Sequence, residues 1–212
     1  MDNRQRRLQR KINKILDDIE LWFYLWEEDI NDLVEIYKRD KVEDIYKSST
    51  YSQFRKEVSN VTKHYFTQIN KILRQELNST AYNTKTVWCV DGKSLDDRLA
   101  IHKAQMIANI TKALIEYTAT GVNNLNKYMK AHKYAMQRLV NTEARAKETI
   151  EVLAKAKADG YKYVEIVEMM DDKTCDYCIE MNGKIVPVNK AQVGINVNPF
   201  HPNCRGHIIP YK

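Results

Sequence analysis

Apolar residues recur along the first part of the chain at Leu8, Ile12, Ile15, Ile19, Trp22, Trp26, Ile30, Leu33 and Tyr37. Steps of three and four, with one added four-residue step from Trp26 to Ile30, put them on one helical stripe. The spacing resembles a coiled coil carrying a stutter. It predicts a long helix over 4–47 whose stripe packs into the protein's own core, the competing use being a surface for a partner helix. The segment SSTYS at 48–52 interrupts the pattern. A second helix is predicted over 53–77, with Phe54, Val58, Val61, Tyr65, Ile69 and Ile72 on its inner face. NSTAYNT at 78–84 reads as a loop, and the main boundary of the chain is placed near 80–93.

Ser94, followed three residues later by Asp97, is a capping-box variant that starts a third helix. Leu99, Met106, Ile110, Leu114 and Tyr117 form its stripe, and Gly121 suits its C-terminal cap. A fourth helical stretch covers 123–158, with a break near 130, and Gly160 closes it. Its stripe runs Leu125, Met129, His132, Met136, Leu139, Glu143, Ala146, Ile150 and Leu153. Glu143 on an apolar stripe demands a partner, because an unpaired buried charge is costly. Arg98 is its candidate partner in a structural ion pair. A catalytic acid is disfavoured, since no second carboxylate or nucleophile stands at motif spacing beside it. His132 reads as a core histidine rather than a ligand.

Beyond Gly160 the period shifts from helical to alternating. YKYVEIVEM sets Tyr161, Tyr163, Glu165 and Val167 against Lys162, Val164, Ile166 and Glu168, which predicts a strand. Asn182-Gly183 signals a tight turn, KIVPV a short strand and GHIIPY a last one. All four prolines and three of the four cysteines fall in this end. The expected fold class is therefore α+β and predominantly α. Long N-terminal helices lead through a helical segment to a small C-terminal β-rich module stapled through its clustered cysteines. The expected domains are 1–87, a long-helix region, and 88–212, with that stapled module at about 161–212.

Composition changes little in this picture. Six Gly and four Pro among 212 residues favour helices. The net charge of +6 suits a neighbour of nucleic acid or another polyanion without requiring one. No apolar run is long enough for a signal core or a membrane span, so no membrane partner is expected. Clustered cysteines in a reducing setting then point to metal rather than disulfides. The basic start, with Arg4, Arg6, Arg7, Arg10 and Lys11, is a candidate contact for DNA phosphates or an acidic protein surface, a solvated helix end being the alternative.

The chemistry sits in T-C-D-Y-C and, further on, H-P-N-C-R. Cys175 and Cys178 form one chelating pair and His201 and Cys204 another, each expected in a turn. Three sulfurs and one nitrogen suit tetrahedral zinc, and four protein ligands leave no open position, so the ion is expected to be structural. The alternatives are a Cys175–Cys178 redox pair or unliganded thiols, and His207 is a substitute ligand. Cys89, alone, reads as a small buried apolar residue. Arg205 is left open between the surroundings of a thiolate and a phosphate.

At these residues the chain resembles the phage Mu F-like minor head proteins, also called phage head morphogenesis proteins. RLVNTEARAKETIEVL at 138–153 is similar to the family's helix with an Arg-Thr-Glu element. YVEIVEMMDDKTCDYCIEMNGKIVPV is similar to its strand, C-x-x-C turn and hairpin, and AQVGINVNPFHPNCRGHIIPY to its closing segment. WCVDGKSLDDRLA at 88–100 looks like the family domain's start. Two departures stand out: Asn141 replaces the arginine before Thr-Glu, and Gly206 stands where many members carry a further Cys. The resemblance implies a virion component inside the head, made in the host cytoplasm. Its implied partners are portal or major capsid proteins and packaged DNA, with no small-molecule substrate and no catalysis. The competing readings are a zinc-ribbon nucleic-acid binder and a nuclease or toxin-type enzyme. The second is disfavoured because the sequence closes just after H-P-N-C-R.

Overall fold

The computed structural model describes residues 3–40, 47–89 and 91–211. It is predominantly helical, with a small antiparallel sheet near the C-terminus. Helix α1 spans Asn3–Asp40, α2 Ser48–Leu77, α3 Leu95–Thr120 and α4 Leu125–Ala158. Strand β1 (Tyr163–Val167), the short helix α5 (Asp176–Met181), β2 (Ile185–Pro187), a 3-10 turn (Val188–Lys190) and β3 (His207–Tyr211) follow. Among the described residues no helix is long and apolar enough to cross a membrane. The last part of the predicted 4–47 helix, residues 41–46, lies outside the described residues.

The chain folds as two compact units that interleave along the sequence. Unit 1 takes Met1–Ile15, Arg74–Asp97 and Gln137–Lys212; unit 2 takes Leu16–Leu73 and Arg98–Met136.

In unit 2 the helices are tied by rings with polar handles. Trp26 Nε1 donates to Thr62 Oγ1 at 3.2 Å, and Tyr65 Oη donates to Asp29 at 2.6 Å, linking α1 to α2. Tyr37 meets Phe54 edge-on, 4.8 Å between centroids. Phe66 packs on His102 and His102 on His132, carrying the core across α3 and α4. Such pairs satisfy the buried N–H and O–H groups while burying large apolar areas. His132 is a core histidine, as expected, with Asn109 Nδ2 3.1 Å from its Nε2.

The buried positions of α1 refine the predicted stripe. Phe23 and Val34 are buried, whereas Trp22 and Leu33 are only half-buried. Ile12, Ile15, Ile19, Phe23, Trp26, Ile30, Val34 and Tyr37 step by three and four at close to the 3.6 period of a straight helix, so no stutter is needed. Two breaks expected from the sequence are absent. SSTYS at 48–52 forms the opening turns of α2, where Ser and Thr are tolerated because their hydroxyls can serve orphan amides. The helix α4 runs unbroken through 130.

The punctuation of α3 and α4 follows the expected physics. Asp97 N donates to Ser94 Oγ at 3.2 Å and Ser94 N to Asp97 Oδ2 at 2.9 Å, a reciprocal capping box. Gly160 ends α4 with φ +75°, a conformation that disfavours side-chain-bearing residues, and Tyr161 N reaches back to Ala156 O at 2.9 Å.

In unit 1 the sheet order is β2-β1-β3. The register pairs Val164 with Val186 and Ile166 with Ile208. These inward residues pack with Ala146, Val152 and Ala156 of α4, and with Met181, Val193 and Val197. Tyr163, Glu165 and Val167 face the other way, so the predicted alternation holds. Asn182-Gly183 does make a turn, with Gly183 at φ +76°, though it joins α5 to β2 rather than two strands.

Candidate metal centre

The site is assembled by three segments at one end of the sheet in unit 1. The strand β1 alternates Val164 and Ile166 inward, and the same alternation carries the next inward position, Glu168, under the loops beyond the sheet. Cys175 occupies the N-cap of α5 and Cys178 lies in its first turn, so the C-x-x-C opens a short helix rather than lying in a plain turn. His201 and Cys204 come from the turn before β3, where Asn203 sits at φ +64° and Cys204 N donates to His201 O at 3.1 Å.

These segments bring the four sequence-predicted ligands into one neighbourhood, in two overlapping groups rather than a single set. His201 Nε2 lies 3.1 Å from Cys178 Sγ and 3.3 Å from Cys175 Sγ. Cys178 Sγ and Cys204 Sγ are 3.8 Å apart, far beyond the roughly 2.05 Å of a disulfide, and all the cysteines are free thiols. The other imidazole nitrogen, Nδ1, lies 2.9 Å from Pro202 O. A proton held there on Nδ1 leaves Nε2 with its lone pair turned to the sulfurs, the arrangement that a ligating histidine uses.

The donors form two overlapping triads, each able to hold a metal ion. Cys175, Cys178 and His201 make the outer one, and Glu168, Cys178 and Cys204 the inner one. Cys178 belongs to both. Cys175 is exposed and His201 half-buried, while every member of the inner triad is buried. Among the described residues His207 belongs to neither triad.

Electrostatics sharpen the inner triad. Burial first, then the Cys204 and Glu168 charges, push the Cys178 thiol far above its usual range. Burial also raises Cys204 and Glu168, though the Asn198 amide, donating to Glu168 Oε1 at 2.7 Å, pulls the carboxyl back. Anionic groups this deep are costly unless a cation lies among them. The guanidinium of Arg145, on α4, is one nearby positive charge. It is buried, lowered by desolvation and raised by Cys204, and it donates to Arg205 O at 3.3 Å and to Gln9 Oε1 at 2.9 Å. Arg205, left open by sequence, forks onto both carboxylate oxygens of Asp171, with Nη1 to Oδ2 at 2.7 Å. That fork ties the loop after β1 to the loop before β3 and holds the Asp171 carboxyl well below the usual carboxylate range.

The other singled-out residues fall as follows. Glu143 is fully buried in α4, and its Oε2 accepts from Tyr82 Oη at 2.6 Å and from Trp88 Nε1 at 2.9 Å. Tyr82 and Trp88 lie in the segment between α2 and α3, and their role was missed in the sequence because partners so distant leave no spacing signal. Arg98 lies in the first turns of α3. Of the basic start, Arg4 pairs with Glu148 and Lys11 with Glu76, while Arg6, Arg7 and Arg10 are exposed. Cys89 departs from its expected role: it is half-buried and its thiol donates to Asp91 Oδ1 at 2.7 Å.

No curated protein and no solved structure matches the chain. A family model described as phage Mu protein F like protein matches residues 104–209, half of the chain, spanning most of α3, all of α4 and both halves of the ligand cluster. The chain belongs to the phage Mu F-like family of head morphogenesis proteins.

Proposed function

We propose that the protein is a minor capsid component of a tailed phage or prophage, working inside the head against portal or major capsid subunits. In this reading it assists DNA packaging or ejection, performs no catalysis, takes no small-molecule substrate, and resides in the host cytoplasm only until the head assembles. The family match over 104–209 carries the proposal. Residues 88–212 act as the family domain and residues 1–87 as the assembly surface. Exposed Arg6, Arg7 and Arg10 are available to DNA phosphates or to an acidic portal face.

Within that function Cys175, Cys178, His201 and Cys204 hold one structural zinc ion. The support is chemical: zinc–sulfur bonds of about 2.3 Å in a tetrahedron place two thiolates about 3.8 Å apart, the separation of Cys178 and Cys204 Sγ. The ion supplies the positive charge that buried thiolates need and joins two loops that share no strand pairing with each other. The zinc-ribbon and enzyme readings draw no comparable support. A further part of the proposal pairs Arg98 with Glu143, since a guanidinium is the natural companion of so deep a carboxylate. A double-mutant cycle with Arg98→Met and Glu143→Gln tests that pairing, and additive effects would remove it.

The deciding experiment locates the protein in purified procapsids and in emptied virions and measures zinc on the same samples. Presence in procapsids with one zinc per chain is expected. Absence from both particles overturns the head assignment, and absence of zinc overturns the metal assignment alone.

A further inference from the structure

The outer triad takes three of the four ligands that the sequence announces, and Cys204, the fourth, belongs to the inner one. The inner triad includes a residue that no motif announces, Glu168, and three observations make its carboxylate part of the centre. Its oxygens reach within 4.8 Å of both Cys178 Sγ and Cys204 Sγ, with all three groups buried. The carboxylate is also positioned: its backbone N–H donates to Asn182 Oδ1 at 2.9 Å, and Asn198 Nδ2 donates to Oε1 at 2.7 Å. Finally, space has been cleared for it. A Cβ at Gly206 would overlap both Glu168 Oε2 and Asn198 Nδ2, so this arrangement exists only with glycine beside Arg205. The amide oxygen of the fully buried Asn198 has no hydrogen-bond partner among the described residues, which marks the pocket as built around polar contents rather than apolar packing.

A carboxylate fixed in this way, against two buried thiols, has little reason to be there for the fold alone. A buried charge is weak evidence for stability: replacing a buried ion pair with well-packed apolar residues of similar volume is often neutral or stabilising. Oxygen is an accepted zinc donor alongside sulfur and imidazole nitrogen. The outermost of the four sequence-predicted ligands, Cys175, is the one exposed to solvent.

Resting on the zinc reading above, we propose that Glu168 is a fifth donor of the metal centre, one that takes the place of the exposed Cys175 thiolate when that arm is released. The ion then remains held from the buried side by Glu168, Cys178 and Cys204, with His201 closing the set. The centre thus has a detachable outer arm and a permanent inner floor. A loop carrying Cys175 can move without loss of the ion.

The test uses the full chain titrated with zinc against a competing chelator, and with Co(II), whose thiolate charge-transfer intensity counts bound sulfurs. Wild type is expected to bind one equivalent with a three-thiolate spectrum. Cys175→Ser is expected to keep one equivalent, four-coordinate, with a two-thiolate spectrum and affinity lowered by at least the roughly 10–100-fold that a change in an outer-shell partner costs. Cys178→Ser is expected to lose the ion. Cys175→Ser combined with Glu168→Gln is expected to lose it as well, although Glu168→Gln alone retains it. Should the double variant fail to fold by circular dichroism, the cobalt spectrum of Cys175→Ser decides. A retained four-coordinate two-thiolate ion supports the proposal, and loss of cobalt overturns it. Equal affinity of Cys175→Ser with and without Glu168→Gln also overturns it. A wild-type chain that binds no stoichiometric zinc removes the zinc reading itself, an outcome distinct from any of these.

Discussion

Gly206 gives the most quantitative handle on the centre. Its backbone is not in the left-handed region, so alanine there meets no torsional objection and the whole effect is steric. The added methyl falls onto Glu168 Oε2 and Asn198 Nδ2. Overfilling a packed interior costs about 1–3 kcal/mol. Displacing the carboxylate breaks its bond from Asn198, and a hydrogen bond to a charged group contributes roughly 1.5–3 kcal/mol. The two together predict a loss of about 4 kcal/mol for Gly206→Ala. At a urea slope of about 2–3 kcal/mol per molar, the unfolding midpoint falls by about 1.3–2 M. The control is Gly160→Ala in the same unit, where φ is +75° but nothing lies near the added carbon. Its cost is torsional only, about 1–2 kcal/mol. Urea titrations of the metal-free proteins compare the two. A Gly206→Ala midpoint as high as that of Gly160→Ala, or higher, would show that the carboxylate is not held where the geometry puts it.

Three further outcomes follow from the same structure. Removing metal with a strong chelator is expected to lower the unfolding midpoint of wild type and to leave Cys178→Ser unmoved, read by circular dichroism; equal effects on both would refute a structural ion. His102 is held neutral, lowered to about 4 by burial first and by His132 second. The unfolded histidine, at about 6.5, takes up protons before the folded one does, so stability is intact above pH 6.5 and is lost as pH falls towards 4. Between pH 7 and pH 5 the loss is on the order of 2 kcal/mol, and His102→Leu should abolish that part of the pH dependence. Tyr82→Phe removes a 2.6 Å donor from the buried Glu143 and is expected to cost about 1.5–3 kcal/mol in urea unfolding, a loss below 0.5 kcal/mol being incompatible with the bond.

Local chemistry was the part of the fold that could be read in advance. The Ser94–Asp97 box, the Gly121 and Gly160 stops and the alternation of Val164 and Ile166 against Tyr163, Glu165 and Val167 all depend on neighbours within a few residues or on a strict period of two. The phase of the long stripes was less legible. Trp22 and Phe23 are both large and adjacent, and which one is buried depends on the helix opposite, here through the Thr62 partner of Trp26. SSTYS misled because serine and threonine mark both loops and helix beginnings. At the site, the four candidate ligands Cys175, Cys178, His201 and Cys204 were visible from spacing alone. Glu168 stood on the right face of its strand in the sequence, as the polar successor to two valine and isoleucine positions, yet a carboxylate at a strand end ordinarily signals solvent. Only the third dimension puts Cys178, Cys204 and Gly206 around it. The interleaving of the two units had no sequence signature, because a helix that changes units midway keeps its period unbroken.

That interleaving bears on how the protein is made. Unit 2 draws only on residues between Leu16 and Met136, so all of its material has left the ribosome while the last strands are still being encoded. Unit 1 needs the first turns of α1, where Gln9 meets Arg145, together with β3, which lies beyond all of unit 2 in the sequence. Synthesis therefore makes the residues of unit 2 available before those of unit 1, whose candidate ligands His201 and Cys204 follow later in the chain. Until they do, Cys175 and Cys178 stand as half of the candidate ligand set, separated by all of unit 2 from the turns of α1 that complete their unit.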